Sequence, residues 1–305
     1  MHDALRQTRS YLMRLFQSEG INPRSDLGQN FLIDLNIIDF IVRSAELTLD
    51  DVVLEVGPGT GGMTTFLGQD AAHVVSVELD ANMHRLASQA TADCPNVTLL
   101  NCDALRDKNH LADELLTEVR RQLGVDDERR LKLVANLPYA VATPVVSNLV
   151  ATDLPWTRMV ITIQYELGLR MRARPGSSHY GALAVWLQSQ ARVRMLKKLG
   201  PKVFWPRPGV DSAVVQIDPA PERRARIADR GFFHEFIRRL FQQRRKRLRA
   251  VLGQMYKEPL GKPVVNRLLA ELDLPDTSRA EDMDVPTLIR VANRFYSELN
   301  PESSR

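Results

Sequence analysis

The chain has 305 residues, 44% of them hydrophobic, with a formal charge of +4 and two cysteines. That is apolar material for one large domain plus a smaller one, and two thiols, Cys94 and Cys102, exclude a disulfide framework and point to a reducing compartment. No apolar run reaches the length of a membrane span and no signal-peptide core is evident, so a cytoplasmic protein with no membrane role is expected.

Taken in chain order, Leu5, Leu12, Leu15 and Phe16 are spaced for an amphipathic helix over residues 3–19, ending near Gly20, within an N-terminal arm of residues 1–22. Leu27 to Asp34 interleaves amides with apolar anchors, so Gln29 and Asn30 can turn toward a ligand while Phe31 enters the core. A loop with two amides is by itself more often merely solvated. A second helix covers residues 35–46. The strand Val52–Val56 then runs into Gly57-Pro58-Gly59-Thr60-Gly61-Gly62 and a helix through Met63, Phe66 and Leu67. Glycines let backbone approach a ligand, and the first amides of the helix point at it.

The next strand, His73–Val77, delivers Glu78 about 20 residues past that loop, where a carboxylate accepts from ribose hydroxyls. A third strand, Val97–Cys102, ends at Asp103, suited to an adenine amine. These strand ends define an adenosine-containing cofactor and leave NAD and S-adenosylmethionine both open. Leu111 to Arg130 reads as a solvated helix. The fourth strand, Leu131–Ala135, runs into Asn136-Leu137-Pro138-Tyr139. Asn136 offers a side-chain acceptor, Pro138 a carbonyl without a competing N–H, and Tyr139 a stacking face, a set suited to the exocyclic amine of a nucleobase.

A helix starts at Ala142-Thr143-Pro144, and a fifth strand, Met159–Gln164, leads into Glu166 to Arg174 and a flexible loop, Pro175 to Gly181. Two further strands, Val193–Leu199 and Ala213–Ile217, bracket Phe204 to Ser212. Pro206 and Pro208 stiffen that loop, which would hold Phe204 as a second stacking face across from Tyr139. Residues 219–224 read as a linker, and the remainder as helical. There Arg238, Arg239, Arg244, Arg245, Lys246, Arg247 and Arg249 are expected on one helix. A charge run is often only a solvated face; clustered on one module, it also suits a phosphate backbone.

In order, Leu27-Gly28-Gln29-Asn30-Phe31-Leu32, Glu55-Val56-Gly57-Pro58-Gly59-Thr60-Gly61, Asn136-Leu137-Pro138-Tyr139, Tyr180-Gly181, Phe204 to Val214 and Gln243-Arg244-Arg245-Lys246 resemble the ribosomal RNA adenine N6-dimethyltransferases. More narrowly they resemble the bacterial branch that modifies two adjacent adenines near the 3′ end of 16S rRNA. The resemblance implies an α/β fold, a Rossmann-like class I methyltransferase domain (residues 1–218), with a small all-helical, basic RNA-binding domain (residues 219–305). It implies S-adenosylmethionine as donor, no metal, a monomer, and 16S rRNA in the small ribosomal subunit or its precursor as partner.

By the same resemblance Asn30, Leu32, Gly57, Glu78, Asp103 and Asn136 contact the cofactor. Asn136, Pro138, Tyr139 and Phe204 form the target-adenine pocket. From their clustered charge, Arg244, Arg245, Lys246, Arg247 and Arg249 are expected to bind RNA. Ala140, Ala142 and Tyr165 depart from the family, the last replacing a usual lysine. Methylation of large-subunit rRNA, and an assembly factor with little catalysis, are the alternatives.

Overall fold

Short runs with apolar residues, β-branched in several cases, supply the strands Asp51–Val56 (β1), His73–Val77 (β2), Val97–Leu100 (β3), Arg130–Asn136 (β4), Trp156–Gln164 (β5), Ala191–Leu199 (β6) and Ser212–Pro219 (β7). In the computed structural model, which describes residues 7–24 and 26–301, these form one sheet in the order β3-β2-β1-β4-β5-β7-β6. The strands from β3 to β5 are parallel, whereas β7 runs antiparallel to β5 with Ser212 opposite Gln164. Every residue of β1 is buried, the signature of a strand covered on both faces. Strand order reverses between β1 and β4, and at such a switch point a crevice opens beyond the carboxyl ends.

The chain divides into two compact units, Met1–Gly168 with Arg194–Asp218, and Leu169–Val193 with Pro219–Arg305. The first holds the helices Arg9–Glu19 (α1), Leu35–Ala45 (α2), Thr64–Asp70 (α3), Ala81–Ala90 (α4), Asp113–Leu123 (α5) and Ala142–Ala151 (α6); Tyr165–Met171 (α7) begins in it. Leu5 of the expected first helix lies outside the described residues. Asp34 starts α2 by accepting from the backbone of Asn36 at 3.0 Å and Ile37 at 3.4 Å. The helix then buries Ile37, Ile38, Ile41, Val42 and Ala45, a stripe at helical spacing. That stripe packs with Val53, Val134, Val160 and Val214 of the sheet; each buried Ile or Val side chain contributes on the order of 1.5–3 kcal/mol by leaving water.

A smaller aromatic cluster fixes the segment ahead of α2. Phe16 of α1 stands edge-on to Phe31 and to Trp205, with centroids 5.3 Å apart in both pairs. Phe31 and Leu32 form a two-residue ladder with Trp205 and Phe204. The preceding residues, Gln29 and Asn30, are thereby held at the crevice.

The second unit contains Ala182–Gln188 (α8), Pro221–Arg224 (α9), Arg230–Phe241 (α10), Leu248–Met255 (α11), Gly261–Glu271 (α12) and Val285–Leu299 (α13). Its core gathers Phe233, Phe236, Leu240, Leu252 and Phe295. Residues 169–193, expected in the first domain, group here instead. The Trp186 ring stacks on His234 at 4.4 Å, and the Tyr180 hydroxyl donates to the Met283 carbonyl at 2.9 Å. The basic run also differs from expectation, since α10 stops at Phe241 and α11 starts at Leu248. Arg244 to Arg247 therefore form a turn. The Leu248 N–H leaves helical register to donate to Ser278 at 2.7 Å. No helix among the described residues is long and apolar enough to cross a membrane.

Candidate active site

β1 ends in a loop whose Gly57, Gly59 and Gly61 have φ of 75°, 58° and 78°, the left-handed region that favours glycine. The turn is closely packed: a Cβ on Gly59 would lie 2.8 Å from the Phe31 ring, and one on Gly57 3.0 Å from the Pro138 ring. Glu78, past the end of β2, is 8% exposed. Its Oε2 accepts from the Gly59 N–H at 3.1 Å and its Oε1 from the Asp80 N–H at 3.0 Å. Burial, the largest influence, raises its pKa, while these N–H groups oppose the rise. Asp80 then caps α4 through Asn82 at 2.8 Å and accepts from the Gln29 amide at 3.2 Å.

Past β3, Asp103 accepts from the Leu105 N–H at 2.9 Å. Asn30, Leu32, Gly57, Glu78, Asp103, Asn136, Pro138 and Tyr139 all line one cavity. So do Leu79, an apolar side chain 54% exposed, and Gln7, whose amide donates to the Thr60 carbonyl at 2.8 Å. Neither emerged from the sequence reading, although Leu79 directly follows the expected ribose acid.

Glu55 of β1 also lines this cavity and was likewise not singled out as a site residue. It is fully buried, and Oε2 accepts both from Thr64 at 2.7 Å and from Ser76 at 2.9 Å, while Oε1 has no partner among the described residues. Burial pushes its pKa to about 7. Three carboxyl groups, Glu55, Glu78 and Asp103, therefore line one crevice, which suits a cationic ligand, and the Glu55 Oε1 is a buried polar atom left open to a ligand.

A carboxyl pKa raised by folding stabilises the protein fully below the unfolded value near 4.5 and loses that stabilisation as pH rises through about 7. Glu55→Gln removes this dependence. Its stability relative to the parent is expected to improve by on the order of 3 kcal/mol between pH 4 and pH 8. Denaturant melts at the two pH values check this; a pH-independent difference refutes it.

At the end of β4, the Asn136 Nδ2 donates to the Asn30 carbonyl at 2.9 Å, which leaves Oδ1 as the amide's remaining acceptor. The Pro138 carbonyl accepts from Val141 at 3.1 Å and keeps a second lone pair. The half-buried Tyr139 shares a 2.7 Å hydrogen bond with Ser212, and burial raises its phenol pKa.

Phe204 corrects the sequence expectation. It is 1% exposed, pairs with Leu32 in the short ladder, packs in the core around Ile38 and Val214, and does not line the cavity. Arg244 is engaged within the second unit: its guanidinium donates to the Tyr180 carbonyl and, at 3.1 Å, to Ser178, and it lies 3.6 Å from Glu281. Arg249 pairs with Asp276 at 2.7 Å. Arg245, Lys246 and Arg247 are exposed, and among the described residues no carboxylate pairs with them. At Tyr165 the Lys198 ammonium sits 4.7 Å from the ring centroid and 2.7 Å from Asp211, so a cation remains at that edge of the sheet.

A reversed parallel sheet, a glycine loop, acids at successive strand ends and an Asn-Leu-Pro-Tyr turn in one crevice define a Rossmann-like methyltransferase. The family model described as ribosomal RNA adenine dimethylase matches residues 20–283, and the chain belongs to that family of enzymes.

Relatives described as ribosomal RNA small subunit methyltransferase A, from Halothermothrix orenii and Pediococcus pentosaceus, are each 34% identical to it. The matches cover 90% and 93% of this chain and 89% and 93% of theirs. A dimethyladenosine transferase from Plasmodium falciparum, 21% identical, has a TM-score of 0.73 over 87% of this chain and 97% of its own. The 23S rRNA methyltransferase ErmE, 22% identical, has a TM-score of 0.62 over 87% and 99%. These two likenesses speak for the fold.

Proposed function

We propose that this protein transfers methyl groups from S-adenosylmethionine to N6 of two adjacent adenines near the 3′ end of 16S rRNA, giving N6,N6-dimethyladenine in the small ribosomal subunit or its precursor. The observation that carries the reading is the convergence of Asn136, Pro138 and Tyr139 on the cavity lined by Glu55, Glu78 and Asp103. The orphaned Glu55 Oε1 and the close-packed glycine loop fit an adenosine bearing a positive charge. Glu78 would hold the ribose, Asp103 the adenine amine, and Asn30, Leu32 and Gly57 the wall around them. When bound, the cofactor supplies an electrophilic methyl group on cationic sulfur.

The rest is done by the chain's own groups. The target amine is a poor nucleophile because its lone pair is delocalised into the ring. Asn136 Oδ1 and the Pro138 carbonyl accept its two hydrogens and turn the lone pair outward, while the Tyr139 face stacks on the base, worth roughly 1–3 kcal/mol. Catalysis is then positioning and electrostatics. The methylated amine then releases one proton to solvent and keeps one hydrogen, so a second transfer can follow in the same pocket.

Mass spectrometry of adenines tests the reading, using undermethylated small subunits incubated with the protein and labelled S-adenosylmethionine, large subunits alongside. Dimethyladenine only in small-subunit RNA supports it. Label only in large-subunit RNA redirects the substrate, and binding without label favours an assembly role. Of the basic run, we assign Arg245, Lys246 and Arg247 to the phosphate backbone. Replacing all three with glutamine should weaken subunit binding and lower the slope of log affinity against log salt by about 2–3; an unchanged slope removes the turn from the interface.

A further inference from the structure

We infer that Ser212 is a positioning residue of the methyl-transfer site, acting through the Tyr139 ring; the inference rests on the function proposed above. Tyr139 follows β4, and Ser212 opens β7, with β5 lying between those strands. Their 2.7 Å hydroxyl contact therefore reaches across the carboxyl end of β5. Both ends of this brace are anchored. Ser212 is fully buried and sits opposite Gln164 in the ladder with β5, and the Tyr165 N–H donates to the Asp211 carbonyl at 2.9 Å. On the other side, the Leu137 N–H donates to Thr162 and the Val141 N–H to Pro138, both at 3.1 Å.

The Tyr139 backbone is thus fixed by the turn, and its hydroxyl by Ser212. The remaining freedom, a swing of the half-buried ring about χ1, is what the hydroxyl contact removes. That ring is the surface on which the target base would rest. Misplacement of a reacting group by a fraction of an ångström to an ångström lowers rate steeply. The second transfer acts on a bulkier amine with one hydrogen left to grip, so it should suffer more than the first.

The test is a kinetic double-mutant cycle in the full chain: parent, Ser212→Ala, Tyr139→Phe and the double variant, assayed on undermethylated small subunits with S-adenosylmethionine. Each single variant should lower kcat roughly tenfold, leave cofactor KM within about twofold, and raise the monomethyl share of product. The double variant should be no worse than either single one, and Ser212→Thr, which keeps the hydroxyl, should restore the dimethyl product. Losses that multiply to roughly a hundredfold in the double variant overturn the inference. So does a Ser212→Ala protein with a lowered melting temperature and an unchanged kcat. If Ser212→Ala does not fold, Tyr139→Phe breaks the same bond from its other partner, and a parental product ratio there overturns it equally. An inactive parent overturns the proposed function and this inference together, whereas an active parent with multiplicative losses overturns this inference alone.

Discussion

Asn136→Ala is expected to lower turnover at saturating cofactor by roughly a hundredfold to a thousandfold, the scale of losing one preorganised polar group at a reacting centre. Cofactor affinity should fall only a few-fold. The difference follows from the two ends of one amide. Oδ1 is the acceptor proposed for the target amine, and nothing nearby replaces it, because Pro138 offers only its carbonyl. Nδ2 donates to the Asn30 carbonyl at 2.9 Å and ties the segment ahead of α2 to the end of β4. Losing that tie loosens Asn30, but its own side chain still donates to Gly28 at 3.0 Å, and Phe31 remains in its aromatic cluster. Asn136→Asp keeps acceptors and loses the donor, setting a carboxylate against the Asn30 carbonyl and near Glu55 and Glu78; it should be as inactive as the alanine variant. Single-turnover methylation and calorimetric cofactor titration separate the two effects. Equal losses in both would make Asn136 mainly a cofactor ligand.

Much of this site is legible in the sequence because strand ends are local features. An apolar run names its own terminus, and Glu78, Asp103 and Asn136, at or soon after such ends, are delivered to the crevice by the sheet. The parts that escaped depend on contacts between distant residues. Nothing in Phe204-Trp205-Pro206 says whether the phenyl ring faces the cavity or the core. Its pairing with Leu32 decides that, and it sends the ring inward. In the basic run all the arginines look alike, yet Arg244 spends its donors on the carbonyls of Tyr180 and Ser178, which also help to hold residues 169–193 in the second unit. Glu55 was visible as an acid within an apolar strand. Its character comes from Thr64 and Ser76 both binding one oxygen and leaving the other bare.

Gly57→Ala should lower methylation steeply even when cofactor is saturating, because Gly57 joins the glycine loop to the turn proposed to hold the amine. Its φ of 75° costs an alanine about 1–2 kcal/mol. Gly20, with φ of 64° and nothing within 4 Å of an added Cβ, supplies the control for that strain alone. At Gly57 the new methyl would also stand 3.0 Å from the Pro138 ring. The ring has little room to retreat, since Leu137 is bonded to Thr162 and the Pro138 carbonyl to Val141. Relief must come by moving the turn, and with it Asn136 Oδ1 and the Tyr139 face. Both variants should lose stability, Gly20→Ala by about 1 kcal/mol and Gly57→Ala by about 2–3 kcal/mol. Only Gly57→Ala should lose turnover, by roughly a hundredfold or more. Thermal melts paired with methylation at saturating cofactor decide the matter. Full turnover in a destabilised Gly57→Ala protein would mean that the loop and the amine-holding turn move independently, and that the close approach of Gly57 to Pro138 serves packing alone.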